Sequence, residues 1–293
     1  MIPPPGSGNP TGQVFNSAAA PGAFNGDTFL FVSENGFISG WRNALGTRAE
    51  VLQTGLDANV YKGTALETIG GHAYLLSANF RAGTIDVLKD DRDAPDLTGR
   101  FLGPNLPLGY APFNIAVLNG RIYVSYTLQD SAKLDDVPGA GKGFVNAFDT
   151  QGNLLGRVGT MGTLDSPWGL AIAPPPFGQF AGDLLVGNFG DGRINVFDPN
   201  PATRGFLGQL LGTNGRPITI DGLWGLILGN NGNGGNSNNI SFTAGPADES
   251  AGLFGSISTV PEPSSGVLGL IALGVLVVGW QWKRRWHPFP CGR

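Results

Sequence analysis

The amino-acid sequence predicts an all-β protein, a β-propeller, followed by one C-terminal transmembrane helix. Gly and Pro contribute 48 and 22 of the 293 residues, and they are the two residues least compatible with a helix interior. A strand-rich unit recurs five times with a period of about 50 residues, which is typical of propeller blades. Near the C-terminus, an uncharged apolar run precedes a basic cluster, which is typical of a membrane-spanning helix. Because 41% of the residues are apolar, the chain can bury a core, and disorder is excluded for most of it.

The repeat is defined by the element G-x-[I/V/F]-x-x-[apolar], which occurs five times in the body of the chain. Its copies begin at Gly36, Gly83, Gly143, Gly192 and Gly252. A short β-rich run precedes each copy. A second run lies further upstream, and we call its first residue the anchor of the repeat. These anchors are Gly12, Gly63, Asn114, Gly169 and Gly225, spaced 51, 51, 55 and 56 residues apart. Each unit therefore holds three strands, with room for a fourth.

Turn chemistry supports the same unit. Asn35-Gly36, Asn119-Gly120 and Asp191-Gly192 are dipeptides that favour tight hairpins. One such unit cannot bury both of its faces, so neighbouring units must stack. The alternative, one large β-sandwich, does not explain the recurrence. The sequence leaves open whether five blades close into a ring, and an open ring would expose a sheet edge that favours association.

Charge and composition exclude several classes of function. Residues 1–263 carry 14 basic and 22 acidic side chains, a net charge of −8, which argues against nucleic-acid binding. Cys291 has no partner for an intrachain disulfide. His72 and His287 are too far apart in the sequence to suggest a Cys/His zinc site. A G-x-S-x-G motif for a serine nucleophile is absent from the sequence.

The C-terminal region predicts a membrane anchor. Residues 266–282 contain no charged side chain and would span roughly 25 Å as a helix. Lys283, Arg284 and Arg285 follow at once, and such clusters stay on the cytoplasmic side, which places the body outside. The alternative is a buried core helix. The predicted organisation is therefore a propeller body over 1–258, a Pro-rich linker over 259–265, the helix over 266–282 and a cytoplasmic tail over 283–293.

The linker carries Val260, Pro261, Glu262 and Pro263 just before the apolar run. This motif, followed by a short span and a basic cluster, resembles the PEP-CTERM protein-sorting signal of Gram-negative bacteria. The resemblance implies recognition by exosortase at the inner membrane, processing near the motif, and delivery to the cell surface or the medium. It also implies a link to exopolysaccharide production. The alternative is a plain membrane anchor on a Pro-rich stalk.

The body also resembles a known kind of propeller. The segments 166–171, 183–188 and 192–198 resemble NHL-type repeats. More closely, the body resembles an uncharacterised bacterial family of exported propellers that often end in PEP-CTERM. The resemblance implies six blades and a signal peptide ahead of a Pro-rich link like the one at residues 2–6. Because the N-terminus here has neither a basic nor an apolar signal region, this copy is expected to be truncated at its N-terminus.

A ring of side chains is the candidate site. Aligned repeats place Glu34, Asn79, Tyr126, Asn188 and Ala244 at one register, just past the second run. Propellers bind ligands at the channel mouth. This set of side chains resembles the site of the six-bladed sugar lactonases, which hold a divalent metal with Glu and Asn side chains from separate blades. By that resemblance, Glu34, Asn79 and Asn188 would bind Ca²⁺ or another divalent ion, and no other cofactor is expected. The alternative is that these residues end strands as turn-forming residues.

These observations favour a non-enzymatic, exported propeller that binds a polysaccharide or protein of the envelope. Two alternatives stay open: a metal-dependent hydrolase of the lactonase kind, and a structural matrix protein without a discrete ligand. Sugar binding would use aromatic side chains such as Trp41, Trp168 and Trp224. Because all three occupy recurring positions of the repeat, packing between blades is the use that the sequence favours for them.

Overall fold

The structure, a computed structural model, describes residues 9–18, 22–103, 105–203 and 205–260. They form five antiparallel sheets, each corresponding to one copy of the sequence repeat. The first blade contains β1 (Pro10–Phe15), β2 (Phe29–Ser33), β3 (Ile38–Trp41) and β4 (Glu50–Gln53). The second contains β5 (Tyr61–Ile69), β6 (His72–Asn79) and β7 (Thr84–Lys89). The prediction of an all-β, five-bladed propeller is confirmed.

The remaining blades repeat the same meander. The third contains β8 (Tyr110–Leu118), β9 (Arg121–Leu128), β10 (Gly143–Phe148) and β11 (Leu154–Thr160). The fourth contains β12 (Pro167–Ile172), β13 (Leu184–Asn188), β14 (Ile194–Phe197) and β15 (Phe206–Gln209), and the fifth contains β16 (Leu223–Leu228), β17 (Ile240–Ala244) and β18 (Leu253–Ile257). Short 3₁₀ helices lie at Ala23–Gly26, Asn43–Leu45 and Pro175–Phe180. The five anchors of the repeat all lie in the innermost strands, β1, β5, β8, β12 and β16.

Successive blades are held together by apolar side chains that alternate along each strand. Leu30 and Val32 of the first blade pack with Leu75 of the second in one buried cluster. Separate clusters join the second blade to the third, the third to the fourth and the fourth to the fifth. Because adjacent residues of a strand point to opposite faces, each of the second, third and fourth blades contributes one face to each of two clusters. The stacking that the repeat requires is therefore present between these blades.

The ring is open between the fifth and first blades. Innermost strands lie side by side in the pairs β1–β5, β5–β8, β8–β12 and β12–β16, whereas β16 and β1 do not pack together in the described residues. Ile227 and Phe254 of the fifth blade are 65% and 72% exposed. Their counterparts in the fourth blade, Ala171 and Ile194, are 2% and 0% exposed because the fifth blade covers them. The structure thus answers the question of closure that the sequence leaves open.

The predicted anchor region falls mainly outside the described residues. Those residues contain no helix that is both long enough and apolar enough to cross a membrane. The predicted helix at 266–282 lies beyond them, as do Pro261–Pro263 and the basic cluster 283–285. Val260, which opens the motif, is described and is 68% exposed. The propeller unit extends to Ser258, and a second unit begins at Thr259.

Candidate functional site

The central cavity is lined by one irregular residue from each blade. Every innermost strand contains a β-bulge at the same place in its pairing with the next strand. A bulge breaks the alternation of side chains and re-aims the residue at that point. The residues at these bulges immediately precede the five anchors, and all line the cavity: Thr11, Lys62, Phe113, Trp168 and Trp224. The cavity, which extends to Ile227 and Phe254 at the opening between the fifth and first blades, has a volume of about 1090 Å³, which is large enough for an oligosaccharide or another small ligand.

Lys62 dominates the polar side of the cavity. Its side chain is only 4% exposed, and its Nζ donates to Glu34 Oε1 at 2.6 Å and Asp135 Oδ1 at 2.8 Å. Burial alone would lower the pKa of Lys62, but the hydrogen bonds to Asp135 and Glu34 outweigh it and raise the pKa. The side chain is therefore a buried cation held between carboxylates from the first and third blades.

The opposite side of the cavity is aromatic. The ring of Trp168 makes edge contacts with Phe113 and Trp224, with centroids 4.7 and 4.6 Å apart. Phe189 lies against Trp224 at 4.4 Å. Trp168 is 7% exposed, whereas Trp224 and Phe189 are partly exposed and line the cavity. The third, fourth and fifth blades thus share one aromatic cluster, and Phe189 and Trp224 are its partly exposed members.

A second carboxyl group connects the two sides. Asp136 lies in the loop between β9 and β10 and lines the cavity. Its Oδ2 atom is buried and has no hydrogen-bond partner among the described residues. Burial raises the pKa of Asp136, and the hydroxyl of Ser166 and the ammonium of Lys62 offset part of that rise. A buried carboxyl oxygen without a donor is costly to maintain, while Asp136 as a residue also lines the cavity.

One residue of the predicted ring of metal ligands, Glu34, lies out of register in the structure. The peptide N–H groups of Phe80 and Phe189, which follow Asn79 and Asn188, donate to the carbonyls of Val60 and Ser166. The equivalent N–H in the first blade belongs to Glu34 and donates to Asn9. Glu34 is therefore equivalent to the two phenylalanines, and Ser33 occupies the predicted register. In the third blade the strand pairing Pro112↔Tyr126 matches Tyr61↔Asn79 and Pro167↔Asn188, so Tyr126 lies at the predicted register.

Both asparagines bond within their own blades. Asn79 Nδ2 donates to Asn59 Oδ1 and Asp86 Oδ2 at 3.0 and 2.9 Å. Its Oδ1 accepts from the peptide groups of Val60 and Ala82. These bonds tie the end of β6 to the preceding loop and the following turn, and they leave the amide oxygen engaged.

Asn188 forms a similar arrangement in the fourth blade. Its Nδ2 donates to the carbonyl of Thr163 at 2.8 Å and to Asp191 Oδ1 at 2.9 Å, while its Oδ1 is buried without a partner among the described residues. Glu34 is bonded to Lys62, and the amide oxygen of Asn79 accepts from two peptide groups. The described residues contain no group of three or more His, Cys, Asp or Glu suited to a metal. Metal binding by the trio stays a prediction.

Sequence reasoning overlooked Lys62 as a site residue. The signal for Lys62 was present, because it directly precedes the anchor Gly63, as the two tryptophans precede Gly169 and Gly225. Trp41 does not belong to the cavity lining. It lies at the end of β3, where its Nε1 donates to the carbonyl of Gly46 at 2.7 Å.

The comparisons with known proteins identify the C-terminal signal. The model of the PEP-CTERM protein-sorting motif matches residues 259–285, which confirms that part of the sequence prediction. The motif implies an exported, membrane-sorted protein that exosortase recognises. Fold and motif together define the class: a five-bladed β-propeller with a C-terminal sorting signal. The NHL-like family, the Gram-negative origin and the N-terminal truncation stay predictions.

Similar proteins come from Acanthamoeba polyphaga mimivirus. Uncharacterized protein R648 is 32% identical over 263 residues, covering 86% of this chain and 63% of its own length. Uncharacterized protein L690 is 38% identical over 122 residues, covering 41% of this chain and 32% of its own length. The chain thus spans less than two thirds of either relative. The crystal structure of BBS1N in complex with ARL6DN aligns with a TM-score of 0.41 and 12% identity, covering 79% of this chain and 74% of that one. That similarity is too low to support a conclusion.

Proposed function

We propose that this protein is an exported, non-enzymatic propeller that binds envelope polysaccharide in its central cavity. In this proposal residues 266–282 anchor the chain in the inner membrane, with the body on the periplasmic side. Exosortase then processes the chain near Pro261-Glu262-Pro263 and delivers the body to the cell surface or the medium. The sorting motif supports export, and the resemblance to exported propellers supports the link to exopolysaccharide.

The observation that carries the binding proposal is the two-sided lining of the cavity. Trp224 and Phe189 offer aromatic faces, and Glu34, Asp136 and Thr243 add polar side chains to the same lining. A sugar ring has the same two-sided chemistry, since its C–H groups pack on aromatic faces and its hydroxyl groups need hydrogen-bond partners. No step of this binding requires a metal or a nucleophile.

Trp224 provides the direct test of the cavity. Because Trp224 is partly exposed and bears the aromatic side of the cavity, we expect Trp224→Ala to weaken polysaccharide binding about 10-fold, the effect of losing an aromatic contact worth roughly 1.5 kcal/mol. The measurement is isothermal titration calorimetry of the full chain in detergent micelles against a panel of oligosaccharides prepared from the host envelope.

Trp41→Ala is the matched control, because Trp41 is also a partly exposed tryptophan but does not line the cavity. It should bind as the unchanged protein does. Equal losses in the two variants would contradict binding in the cavity. Release of shortened products from the oligosaccharides would contradict a non-enzymatic role.

The sorting motif has its own test. We expect that replacing Pro261, Glu262 and Pro263 with alanine blocks processing, so the variant keeps its full mass in a host that contains exosortase. The unchanged protein should lose mass in the same host and keep it in a strain without exosortase. Mass spectrometry of membrane and medium fractions measures both. A matched triple replacement at Pro3, Pro4 and Pro5 should be processed normally, and processing of the motif variant would argue against this cleavage site.

A further inference from the structure

The lining of the cavity is strongly acidic for its size. Its ionisable side chains are one ammonium, from Lys62, and four carboxyl groups, from Glu34, Asp135, Asp136 and Glu249, which leaves a formal charge of −3. The buried Nζ of Lys62 is already hydrogen-bonded to Glu34 and Asp135. Among the described residues, no ion pair joins Asp136 or Glu249 to a cation. The cavity therefore has negative charge that the protein itself does not neutralise.

Asp136 is the carboxyl group best placed to meet a ligand. It stands next to Asp135, which is bonded to Lys62 in the second blade, and it interacts with Ser166, two residues before Trp168 in the fourth. It thus lies between the charged side and the aromatic side of the cavity. Its side chain lines the cavity, and none of the ion pairs among the described residues includes it.

An ammonium group would satisfy both features. A cation near an unpaired carboxylate gains a charge-assisted hydrogen bond, and a cation near an aromatic face gains from the ring quadrupole. A uronic acid would instead meet repulsion from the unneutralised carboxylates, since like charges disfavour each other at short range. A neutral sugar would use the aromatic side but leave the charge of Asp136 uncompensated.

We propose that the cavity selects polysaccharides that carry free amino groups, with Asp136 as the acceptor for the sugar ammonium and Trp224 as the platform for its ring. This inference rests on the proposed function, because it specifies the polysaccharide that the cavity would bind. It assigns the two sides of the cavity separate roles: the aromatic side gives affinity for sugars in general, and Asp136 gives preference among them.

Three hexasaccharides of matched length test the inference by calorimetry on the full chain in detergent micelles. They are a glucosamine hexamer with free amines, its fully N-acetylated counterpart and a galacturonic acid hexamer, used at a pH that keeps the amines protonated. We expect the free-amine hexamer to bind at least 10-fold more tightly than the N-acetylated one, and the acidic hexamer to bind most weakly. That ratio is about the effect of one charge-assisted hydrogen bond of roughly 1.5 kcal/mol.

Asp136→Asn keeps the shape of the side chain and removes its charge, so the 10-fold preference should fall below about 3-fold while affinity for the N-acetylated hexamer is kept. Asp93→Asn, at an exposed loop position outside the cavity, should change neither affinity. Equal binding of amine and N-acetyl hexamers, or an unchanged preference in Asp136→Asn, overturns the amine inference while leaving sugar binding intact. If none of the hexamers binds and a lysine hexapeptide does, both the inference and the proposed function are overturned.

Discussion

Replacing Trp168 with alanine should lower the free energy of unfolding by about 3–5 kcal/mol, the range for removing a large buried aromatic side chain. Trp168 is 7% exposed and makes edge contacts with Phe113 in the third blade and Trp224 in the fifth. Its ring therefore joins three blades at the centre of the molecule. Urea unfolding of the full chain in a mild detergent, followed by circular dichroism, measures the effect.

Two further variants test whether the loss of stability is specific to the packing of Trp168 or follows from removing any tryptophan. Trp168→Phe keeps an aromatic ring at the bulge and should recover more than half of the lost stability, since most of the apolar contact area is kept. Trp41→Ala removes a partly exposed ring whose aromatic neighbour is Phe29, 6.2 Å away. We expect it to cost only about 1 kcal/mol, within the usual range of single substitutions. A loss at Trp168 no larger than at Trp41 would contradict a central role.

The blades could be predicted from the sequence because their turns are encoded locally. Gly36, Gly83 and Gly192 have φ values of 79°, 76° and 69°, a conformation that glycine adopts without the cost other residues incur. The apolar alternation before each turn then fixes which side chains face a neighbouring blade. Strand and turn positions repeat with the sequence, so the five sheets follow directly from the pattern.

The opening of the ring could not be predicted, because packing between blades is not local. Ile227 and Phe254 follow the same apolar pattern as Ala171 and Ile194, yet only the latter two are covered by a further blade. An apolar residue at a strand position predicts a face suited to packing. It does not say whether another sheet lies against that face.

The predicted register of the site was wrong in the first blade, because one turn there has a different length. In the first blade, the N–H of Gly36 donates to the carbonyl of Ser33, three residues back. In the second and fourth blades, the equivalent N–H groups of Gly83 and Gly192 reach four residues back, to Asn79 and Asn188. The first turn is one residue shorter, so an alignment read from the runs shifts Glu34 out of its true register.

The bulge residues illustrate a different limit. The residue before each anchor varies in type, for example Thr11, Lys62 and Trp168, so side-chain chemistry alone does not mark these positions as a group. A bulge is a property of the pairing of two strands, so only the paired structure shows that these residues turn toward a common cavity. The role of Asp136 depends likewise on a long loop that brings it near Lys62 and Ser166.

The second large effect concerns Asp27, a buried carboxyl group in the first blade. Its side chain is 0% exposed, and its Oδ1 accepts from Arg42 Nη1 at 2.8 Å. Burial is the main cause that raises the pKa of Asp27 from 3.8 to about 6, and the nearby Glu50 adds to the rise while Arg42 opposes it. The folded state therefore holds a proton that the unfolded chain has released between these two pH values.

This raised pKa should make the propeller lose stability as the pH increases from about 4 to about 6, with no further loss from Asp27 above that range. Where the folded state binds more protons than the unfolded chain, the free energy of unfolding falls with rising pH. The difference between the two pKa values corresponds to roughly 3 kcal/mol over the whole window. Asp27→Asn cannot titrate and should remove this part of the pH dependence.

Urea unfolding of the full chain at several pH values, compared between the unchanged protein and Asp27→Asn, isolates this contribution. Other carboxyl groups shift in the opposite direction, for example Asp198, whose pKa is lowered by hydrogen bonds from the Thr203 hydroxyl and the Asn200 peptide N–H. Groups remote from Asp27 largely cancel in the difference between the two proteins, so the difference curve reports Asp27 together with its neighbour Glu50. Asp93→Asn, at an exposed loop position, should give a flat difference curve. A flat curve for Asp27→Asn as well would show that Asp27 is ionised in the folded propeller throughout this range and that Arg42 outweighs its burial.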